Sequence, residues 1–295
     1  MNLRDLQYLV ALAETGHFGE AAEKCHVSQP TLSAQIKKLE EYLGVQLFER
    51  QPRNVSLTEV GSRIVARARQ VIQQAEDIRE IARASRDPLT GKLRVGLIPT
   101  LGPYLLPRVA MKLKRKLPKL SLMLYEYQTG PLLEKLRAGD LDLAILALPA
   151  DTGGLESRSL FAESFVVALP REHRLASRKR VKATDLAGET LLLLEEGHCL
   201  RDQALDVCGD VGVSEEQDFR ATSLETLRQM VAAGLGITLL PRLAAEGPIA
   251  GTRGLEFRPF APPVPSRMVG ACWRKSSTRE AAIDGVCEVI SSTMS

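Results

Sequence analysis

The chain has 295 residues, of which 44% are hydrophobic and 25% charged, a length that allows two or three units with separate cores. Its formal net charge of +3 is too small to indicate a nucleic-acid partner without support from local pattern. No apolar stretch reaches the length of a membrane span, and Arg4 and Asp5 interrupt the first residues where a signal peptide would be apolar, so we expect a cytoplasmic protein that contacts no membrane.

Residues 1–58 are predicted to form three short helices followed by a small hairpin. The third helix begins after Ser28, a favourable N-cap, and carries Pro30 in its first turn, where the missing N–H costs nothing. Alanines in the second helix let the helices pack closely, and a turn at residues 25–27 places the third helix across the others. This layout indicates a helix-turn-helix, although an ordinary three-helix bundle with a polar outer face would give the same pattern.

The outer face of the third helix carries polar and basic side chains, with no acid before Glu40. Such side chains suit the base edges and phosphates of the major groove of double-stranded DNA. The hairpin that follows would act as a wing, with basic residues beside the duplex backbone. The predicted DNA-binding residues are Ser28, Gln29, Pro30, Thr31, Ser33, Gln35, Lys37, Lys38, Arg50 and Arg53.

A long helix is predicted over residues 59–87. Its apolar positions recur in steps of four and three residues, which is the heptad pattern of a coiled-coil seam. The residues predicted to form the dimer seam are Val60, Ile64, Val71 and Ile78. A single helix of this length with one apolar stripe needs a partner, and a second copy of the chain is the simplest one. Packing on the chain's own core is the alternative.

From residue 88 to residue 295, strands and helices alternate, which indicates an α/β domain with a mostly parallel sheet. One lobe is expected over about 91–162 and 266–295, and a second over about 163–265, where the pattern restarts with a strand at Phe165–Leu169. We therefore predict a two-lobed fold like that of periplasmic binding proteins, with a ligand cleft. The whole chain is predicted to be α/β with an all-α N-terminal domain.

Two of the five cysteines, Cys199 and Cys208, lie nine residues apart in a segment that is predicted to be helical. Nine helical residues separate two positions by about 13 Å along the axis, whereas a disulfide needs Cα atoms within roughly 7 Å of each other. A bond between these cysteines would therefore require the helix to unfold. An odd number of cysteines without framework spacing argues against a secreted disulfide scaffold and favours a transient or redox-sensing pair.

Polar residues follow several predicted strands. Thr100 and Thr129 follow the first two strands of the first lobe, and Cys199 follows a strand of the second. Ligands of open α/β sheets bind beyond the carboxyl ends of strands, so these three residues are expected to converge on one cleft. The threonines could equally be turn formers, and a lone histidine more often bonds a backbone carbonyl in a core. The other candidates for this cleft are His198, Asp202 and Arg267.

Two sets of residues resemble LysR-type transcriptional regulators. The segments Phe18–Ala22, Ser28–Ser33 and Leu39–Arg50 resemble the winged helix-turn-helix of that family. The run Gly197–Gln203, followed by Cys208, resembles the members of the family that sense hydrogen peroxide. The likeness covers almost the full chain, because the family also has a dimerising linker helix and a two-lobed effector domain.

The resemblance implies that hydrogen peroxide oxidises Cys199 and that Cys208 then forms a reversible disulfide with it, which refolds the regulatory domain and activates antioxidant genes. A helix start at Cys199 favours the thiolate that attacks peroxide, and hydroxyl side chains suit peroxide because they both donate and accept hydrogen bonds. The resemblance also implies homodimers and homotetramers on promoter DNA, contact with RNA polymerase and reduction by cellular thiols. Gly130 stands where relatives carry histidine.

Two other functions remain open. One is a LysR-type regulator with a reversible small-molecule effector and inert cysteines. The other is a thiol enzyme that uses Cys199 with His198, although adjacent residues at a helix start point in different directions. We expect no enzyme activity and no cofactor. We also expect no metal, because the sequence has no Cys-x-x-Cys and no paired histidine spacing. The cysteines without an assigned redox role are Cys25, Cys272 and Cys287.

Overall fold

The computed structural model describes residues 1–51, 54–84, 88–208, 212–246 and 253–294. The chain divides into two compact units, Met1–Arg86 and Asp87–Ser295. Of the predicted DNA-binding residues, Arg53 lies outside the described residues. Within the described ranges, no helix is both long enough and apolar enough to cross a membrane.

The described part of the first unit consists of helices and one hairpin. In chain order these are α1 (Leu3–Thr15), α2 (Phe18–Lys24), α3 (Gln29–Leu43), β1 (Phe48–Gln51), β2 (Asn54–Leu57) and α4 (Glu59–Ala84). The predicted N-cap is confirmed, because the Ser28 side chain accepts a hydrogen bond from the backbone N–H of Thr31. Gly44 ends α3 in the left-handed conformation, with φ of 70°, which a glycine adopts without strain. β1 and β2 pair antiparallel, as the predicted wing requires.

The core of the first unit also uses part of α4. Val65 and Ala68 are buried and belong to the same apolar cluster as the inner faces of α1 and α3. The alternative of packing on the chain's own core is therefore correct for one side of α4. Three predicted seam residues, Val60, Val71 and Ile78, remain 42%, 45% and 67% exposed, whereas Ile64 is partly buried against the core. The dimer seam stays a prediction.

The second unit alternates strands and helices, as predicted. In the described residues these are β3 (Gly91–Leu97), α5 (Gly102–Lys116), β4 (Leu120–Glu126), α6 (Thr129–Ala138), β5 (Leu143–Leu148), β6 (Leu155–Pro170), β7 (Thr190–Leu194), α7 (Cys199–Cys208), β8 (Ser214–Ala221), α8 (Leu224–Ala232), β9 (Thr238–Pro241), α9 (Arg242–Ala245), β10 (Leu255–Pro259), β11 (Ser266–Arg274) and α10 (Glu280–Met294). Short 3-10 turns at Arg174–Ser177 and Ala183–Leu186 lie between β6 and β7.

The main sheet is mixed, so the prediction of a mostly parallel sheet is wrong. Its strand order in the described residues is β10-β6-β11-β5-β3-β4, with β9 also paired to β6. β3 pairs parallel with β4 and β5, but β11 and β6 run antiparallel to their neighbours. The reason is that the chain passes from one lobe to the other along β6 and returns along β11. A strand that returns must run in the opposite direction.

β6 is the structural link between the two lobes. Its first part, up to Ser164, pairs with β11, and its second part, from Phe165, pairs with β9 and β10. Lobe I therefore contains β3, β4, β5, β11 and the start of β6, and lobe II contains the end of β6 with β7 to β10. β7 and β8 form a separate parallel pair in lobe II, and α7 connects them.

Candidate functional site

The two cysteines of the predicted pair lie at opposite ends of α7. Cys199 is the first residue of this ten-residue helix and Cys208 is the last, and both thiols are free. Cys199 is partly exposed, whereas Cys208 is fully buried. A ten-residue helix holds its end residues about 13 Å apart along the axis, so the two sulfur atoms are out of bonding range while α7 is intact.

Burial makes Cys208 chemically inert in this fold. Removal from water raises the pKa of the Cys208 thiol from 9.0 to about 11. At neutral pH the side chain is therefore the neutral thiol, which is a poor nucleophile, since thiolate is the reactive form. Cys208 can take part in thiol chemistry only when α7 opens.

An ion pair fastens α7 to β8. Arg201 donates from both terminal nitrogens to the Glu215 carboxylate, at 2.7 and 3.1 Å, which is the strong bidentate geometry. The hydrogen bonds to Arg201 hold the pKa of Glu215 below its usual range, although partial burial opposes the shift. Arg220 lies 3.9 Å from the same carboxylate. These charges anchor the helix that would have to unfold.

His198 precedes α7 and is buried. Its ring bonds the backbone of Thr222, and Nε2 lies 3.9 Å from Glu195 Oε1, too far for a direct hydrogen bond. Burial lowers the pKa of His198, and the nearby carboxylate opposes this shift only in part. The imidazole is therefore neutral at pH 7. The backbone contact is the ordinary role of a core histidine, and it occurs directly beside Cys199.

Thr100 and Arg267 are brought together in a buried network. Arg267 donates to the Thr100 hydroxyl and to the Thr100 carbonyl oxygen, both at 3.1 Å. The same guanidinium donates from Nε to Glu163 at 2.9 Å, and Glu163 also accepts from the backbone N–H of Leu243. Because the Thr100 oxygen accepts from Arg267, its own O–H remains available to a ligand. Glu163, the charge partner of Arg267, was not among the predicted site residues.

Thr129 opens α6 and has an unsatisfied hydroxyl. Its Oγ1 atom is buried and has no hydrogen-bond partner within the described part of the chain. A buried polar atom in this state costs about 1–3 kcal/mol unless a ligand or water satisfies it. Gly130, the next residue, has open space at the Cβ position, with nothing within 4 Å. A small hydrogen-bonding ligand would fit the chemistry of this turn.

The turn that carries Thr129 contacts the turn that carries Cys199. Gln128 Nε2 in lobe I donates to Glu195 Oε1 in lobe II at 3.1 Å. Neither Gln128 nor Glu195 was among the predicted site residues, although both follow strand ends, as several predicted site residues do. Asp202 lies in the first turn of α7 and is exposed, so its predicted role in peroxide binding stays a prediction.

The predicted DNA-binding face of α3 is accessible. Ser33 and Gln35 are partly exposed, and the other predicted side chains of this helix with its N-cap are exposed. Lys37 lies 3.9 Å from Glu41, one turn later, in a solvated pair that releases the lysine readily. Arg50 lies in β1, opposite Val55 of β2.

Two family models match the chain. The model described as "Bacterial regulatory helix-turn-helix protein, lysR family" matches residues 3–62. The model described as "LysR substrate binding domain" matches residues 86–295. The hydrogen peroxide-inducible genes activator of Escherichia coli is 48% identical over 294 residues, which cover 100% of this chain and 96% of that protein.

Solved structures are also similar to the chain. Full-length OxyR of Pseudomonas aeruginosa, with one cysteine changed to aspartate, matches with a TM-score of 0.75 and 43% identity and covers 98% of this chain and 94% of that chain. A cysteine mutant of Corynebacterium glutamicum OxyR with hydrogen peroxide bound matches with a TM-score of 0.68 and 36% identity, over 99% of this chain and 92% of that chain.

Proposed function

The chain belongs to the LysR family of bacterial transcriptional regulators, and from that premise we propose that Cys199 senses hydrogen peroxide and forms a reversible disulfide with Cys208. It is an OxyR-like, hydrogen peroxide-inducible activator. The Cys199–Cys208 disulfide is what we propose beyond this family membership. The observation that carries it is the placement of a partly exposed and a fully buried thiol at the two ends of one helix.

The first step takes place at Cys199. The thiolate sulfur attacks one peroxide oxygen, the O–O bond breaks, and the other oxygen leaves as hydroxide, which takes a proton to become water. Cys199 becomes a sulfenic acid, and the peroxide is reduced. The position of Cys199 supports this step, because it is the first residue of α7 and is partly exposed, so peroxide can reach its sulfur.

Hydroxyl groups of lobe I would hold the peroxide for attack. The unpartnered Thr129 hydroxyl can accept from a peroxide O–H or donate to its oxygen. Thr100 can donate its O–H, because its oxygen already accepts from Arg267. We propose that Arg267 fixes Thr100, that the neutral His198 ring closes the pocket behind Cys199, and that Asp202 orients a water at its mouth.

The second step requires α7 to open. Cys208 reaches water, its thiol ionises more readily than in the buried state, and its sulfur attacks the sulfenic sulfur with loss of water. Closing a loop of about ten residues constrains the chain by on the order of 3 kcal/mol. That is comparable to the stability of a short helix with few buried side chains, so the two folds can interconvert. A cellular dithiol would reverse the bond by exchange.

The remaining parts of the proposal concern the assembly. The α3 face would read promoter DNA, the exposed α4 seam residues would pair two chains, and pairing of effector domains would give a homotetramer that contacts RNA polymerase when oxidised. A reducing cytoplasm is the compartment in which such a disulfide can act as a signal, because thiols there are otherwise kept reduced.

The test is intact mass after a peroxide pulse, with peptide mapping of the full-length chain. We expect a loss of two hydrogens and a peptide that links Cys199 to Cys208. Cys199→Ser should leave the protein unresponsive, and Cys208→Ser should stop at the sulfenic acid. A regulator with a reversible small-molecule effector would instead keep its promoter response in Cys199→Ser, and that result would overturn the proposal.

A further inference from the structure

Gln128 joins the two turns that carry the proposed peroxide site. It is the N-cap residue of α6, but its side chain makes no capping hydrogen bond. The amide nitrogen donates instead to Glu195 Oε1 at 3.1 Å, 67 residues along the chain. The residue directly before Thr129 in lobe I is thereby bonded to a residue four positions before Cys199 in lobe II.

The other end of the Gln128 amide lies against the same turn of lobe II. Its Oε1 atom is 2.7 Å from the position that a Cβ would occupy at Gly197, closer than a real Cβ could come. Gly197 also has φ of +93°, which favours glycine. The absence of a side chain at Gly197 therefore lets the amide pack directly on the backbone that leads into α7. The nitrogen and the oxygen of the Gln128 amide therefore both contact the turn at residues 195–197.

The Glu195 carboxylate also lies near His198, the residue beside Cys199. The oxygen that accepts from Gln128 is the same atom that lies 3.9 Å from His198 Nε2. The Glu195 side chain is 42% exposed, so without Gln128 it is free to turn toward solvent. Loss of the amide would release both the carboxylate and the turn that ends at Cys199.

We infer that Gln128 is a positioning residue for the oxidation of Cys199: through Glu195 it holds the sulfur at the distance from Thr129 that hydrogen peroxide requires. This inference rests on the proposed function. In the proposed function peroxide must contact Thr129 and Cys199 at once, whereas an alkylating reagent needs only the thiolate and access to it. A displacement of about 1 Å between reacting groups can cost on the order of a hundred-fold in rate. Gln128 should therefore affect the peroxide reaction selectively.

The primary experiment compares two rates at Cys199 in the full-length protein. In Gln128→Ala, we expect oxidation by a peroxide pulse to slow by about ten- to hundred-fold, while alkylation by iodoacetamide changes by less than about three-fold. Gln229→Ala is the matched control, because Gln229 donates to Glu225 at 2.8 Å within α8 and links no lobes. It should leave both rates within about two-fold of the wild type.

A reciprocal exchange separates positioning from a general loss of stability. Gln128→Glu alone places two carboxylates about 3 Å apart, which repel each other, and should slow oxidation at least as much as Gln128→Ala. Adding Glu195→Gln restores the hydrogen bond with its direction reversed, and oxidation should recover to within about three-fold of the wild type. This doubly substituted protein decides the question if Gln128→Ala fails to fold.

The outcomes separate this inference from the function on which it rests. Oxidation of Gln128→Ala at the wild-type rate would overturn the positioning role, and so would equal slowing of oxidation and alkylation, or a double variant no faster than Gln128→Glu. In each of those cases the wild type still forms its Cys199–Cys208 bond. A wild type that forms no such bond under peroxide would instead refute the proposed function itself.

Discussion

The two helices with proposed functions, α3 and α7, are held in place by different amounts of apolar burial. The fully buried apolar side chains of α3 are Leu32, Ile36 and Leu39, and those of α7 are Leu200, Ala204 and Cys208. Leu205 and Val207 of α7 also pack against the core but are only partly buried. A fully buried leucine or isoleucine contributes about 1.5–3 kcal/mol, whereas each buried methylene contributes only about 0.8 kcal/mol, so small side chains add little. Counted by fully buried side chains, α3 therefore has the larger apolar anchor.

The polar contacts differ in the same direction. α3 has a side-chain cap at Ser28 and a left-handed glycine at Gly44, which are local and need no distant partner. α7 depends on the pair between Arg201 and Glu215, whose side chains keep 11% and 24% exposure to water. Its two partners lie on different elements, so both hydrogen bonds of this pair are lost together when the helix moves.

This difference is what the two functions require. A helix that reads DNA must present its side chains in one fixed geometry, so its alternatives must be far higher in free energy. A helix that acts as a switch must have an alternative within a few kcal/mol, because a chemical signal can shift only a nearly balanced equilibrium. The large apolar face of α3 and the small one of α7 meet these two demands.

The largest expected effect comes from an aspartate on the buried face of each helix. Ile36→Asp buries an unpaired carboxylate in the first unit, at a cost on the order of 4 kcal/mol or more, and should abolish DNA binding while Cys199 still reacts with peroxide. Ala204→Asp should open α7 yet leave the second unit folded. The measurements are DNA binding by fluorescence anisotropy and hydrogen exchange of each unit. Collapse of the whole second unit in Ala204→Asp would show that α7 is not a separable element.

The next prediction concerns the outer face of α3. Gln29→Ala removes a predicted contact with a base edge and should lower the discrimination at one base pair by about 1–3 kcal/mol. The thermal midpoint should stay nearly constant, because Gln29 is exposed. Binding measured against every single-base change of one operator tests this directly. A uniform loss of affinity for all operators would mean that Gln29 contacts the phosphate backbone instead.

Elements with a strong local pattern could be predicted from the sequence, and elements without one could not. Local pattern in the sequence predicts a helix over Phe18–Lys24 and strands over Leu143–Leu148 and Thr190–Leu194, and α2, β5 and β7 have these bounds. The first part of β6 was missed, because residues 155–164 are mostly polar and lack the regular alternation of a strand. The prediction of a mostly parallel sheet was wrong because β6 and β11 pair antiparallel, and local pattern carries no information on where a strand finds its partner.

Only part of the candidate site could be predicted, because local pattern does not identify distant partners. The separation of Cys199 and Cys208 follows from helical spacing once the segment between them is taken as helix, so it could be predicted without coordinates. The partner of Arg267 is Glu163, 104 residues away, and that of Gln128 is Glu195, 67 residues away. Contacts between lobes depend on how β6 and β11 cross, which a single sequence does not specify.

A smaller effect is expected from the ion pair that fastens α7. Glu215→Gln removes a charge-assisted bidentate contact of a partly exposed pair, worth about 1–2 kcal/mol. In the proposed switch only the reduced fold contains α7 and this contact, so the substitution destabilises the reduced fold alone. α7 should therefore open roughly ten-fold more often, and the reduction potential should become more negative by about 30 mV. Asp206→Asn, on the exposed face of the same helix, is the matched control. Unchanged exchange protection of residues 200–208 in Glu215→Gln would show that the pair does not set the balance.

The smallest expected effect concerns the charge of α3. Lys38 is exposed and predicted to lie on a phosphate, so Lys38→Ala should weaken binding to every sequence by a similar factor, on the order of 1 kcal/mol or less. The more specific readout is the slope of log affinity against log salt, which should fall by about one unit because one fewer counterion is released. Lys112→Ala, on an exposed position of α5 in the second unit, changes the net charge by the same amount and should leave the slope unchanged. Equal slopes for wild type and Lys38→Ala would show that Lys38 does not contact a DNA phosphate. A slope reduced equally by both variants would mean that overall charge, rather than the face of α3, governs the salt dependence.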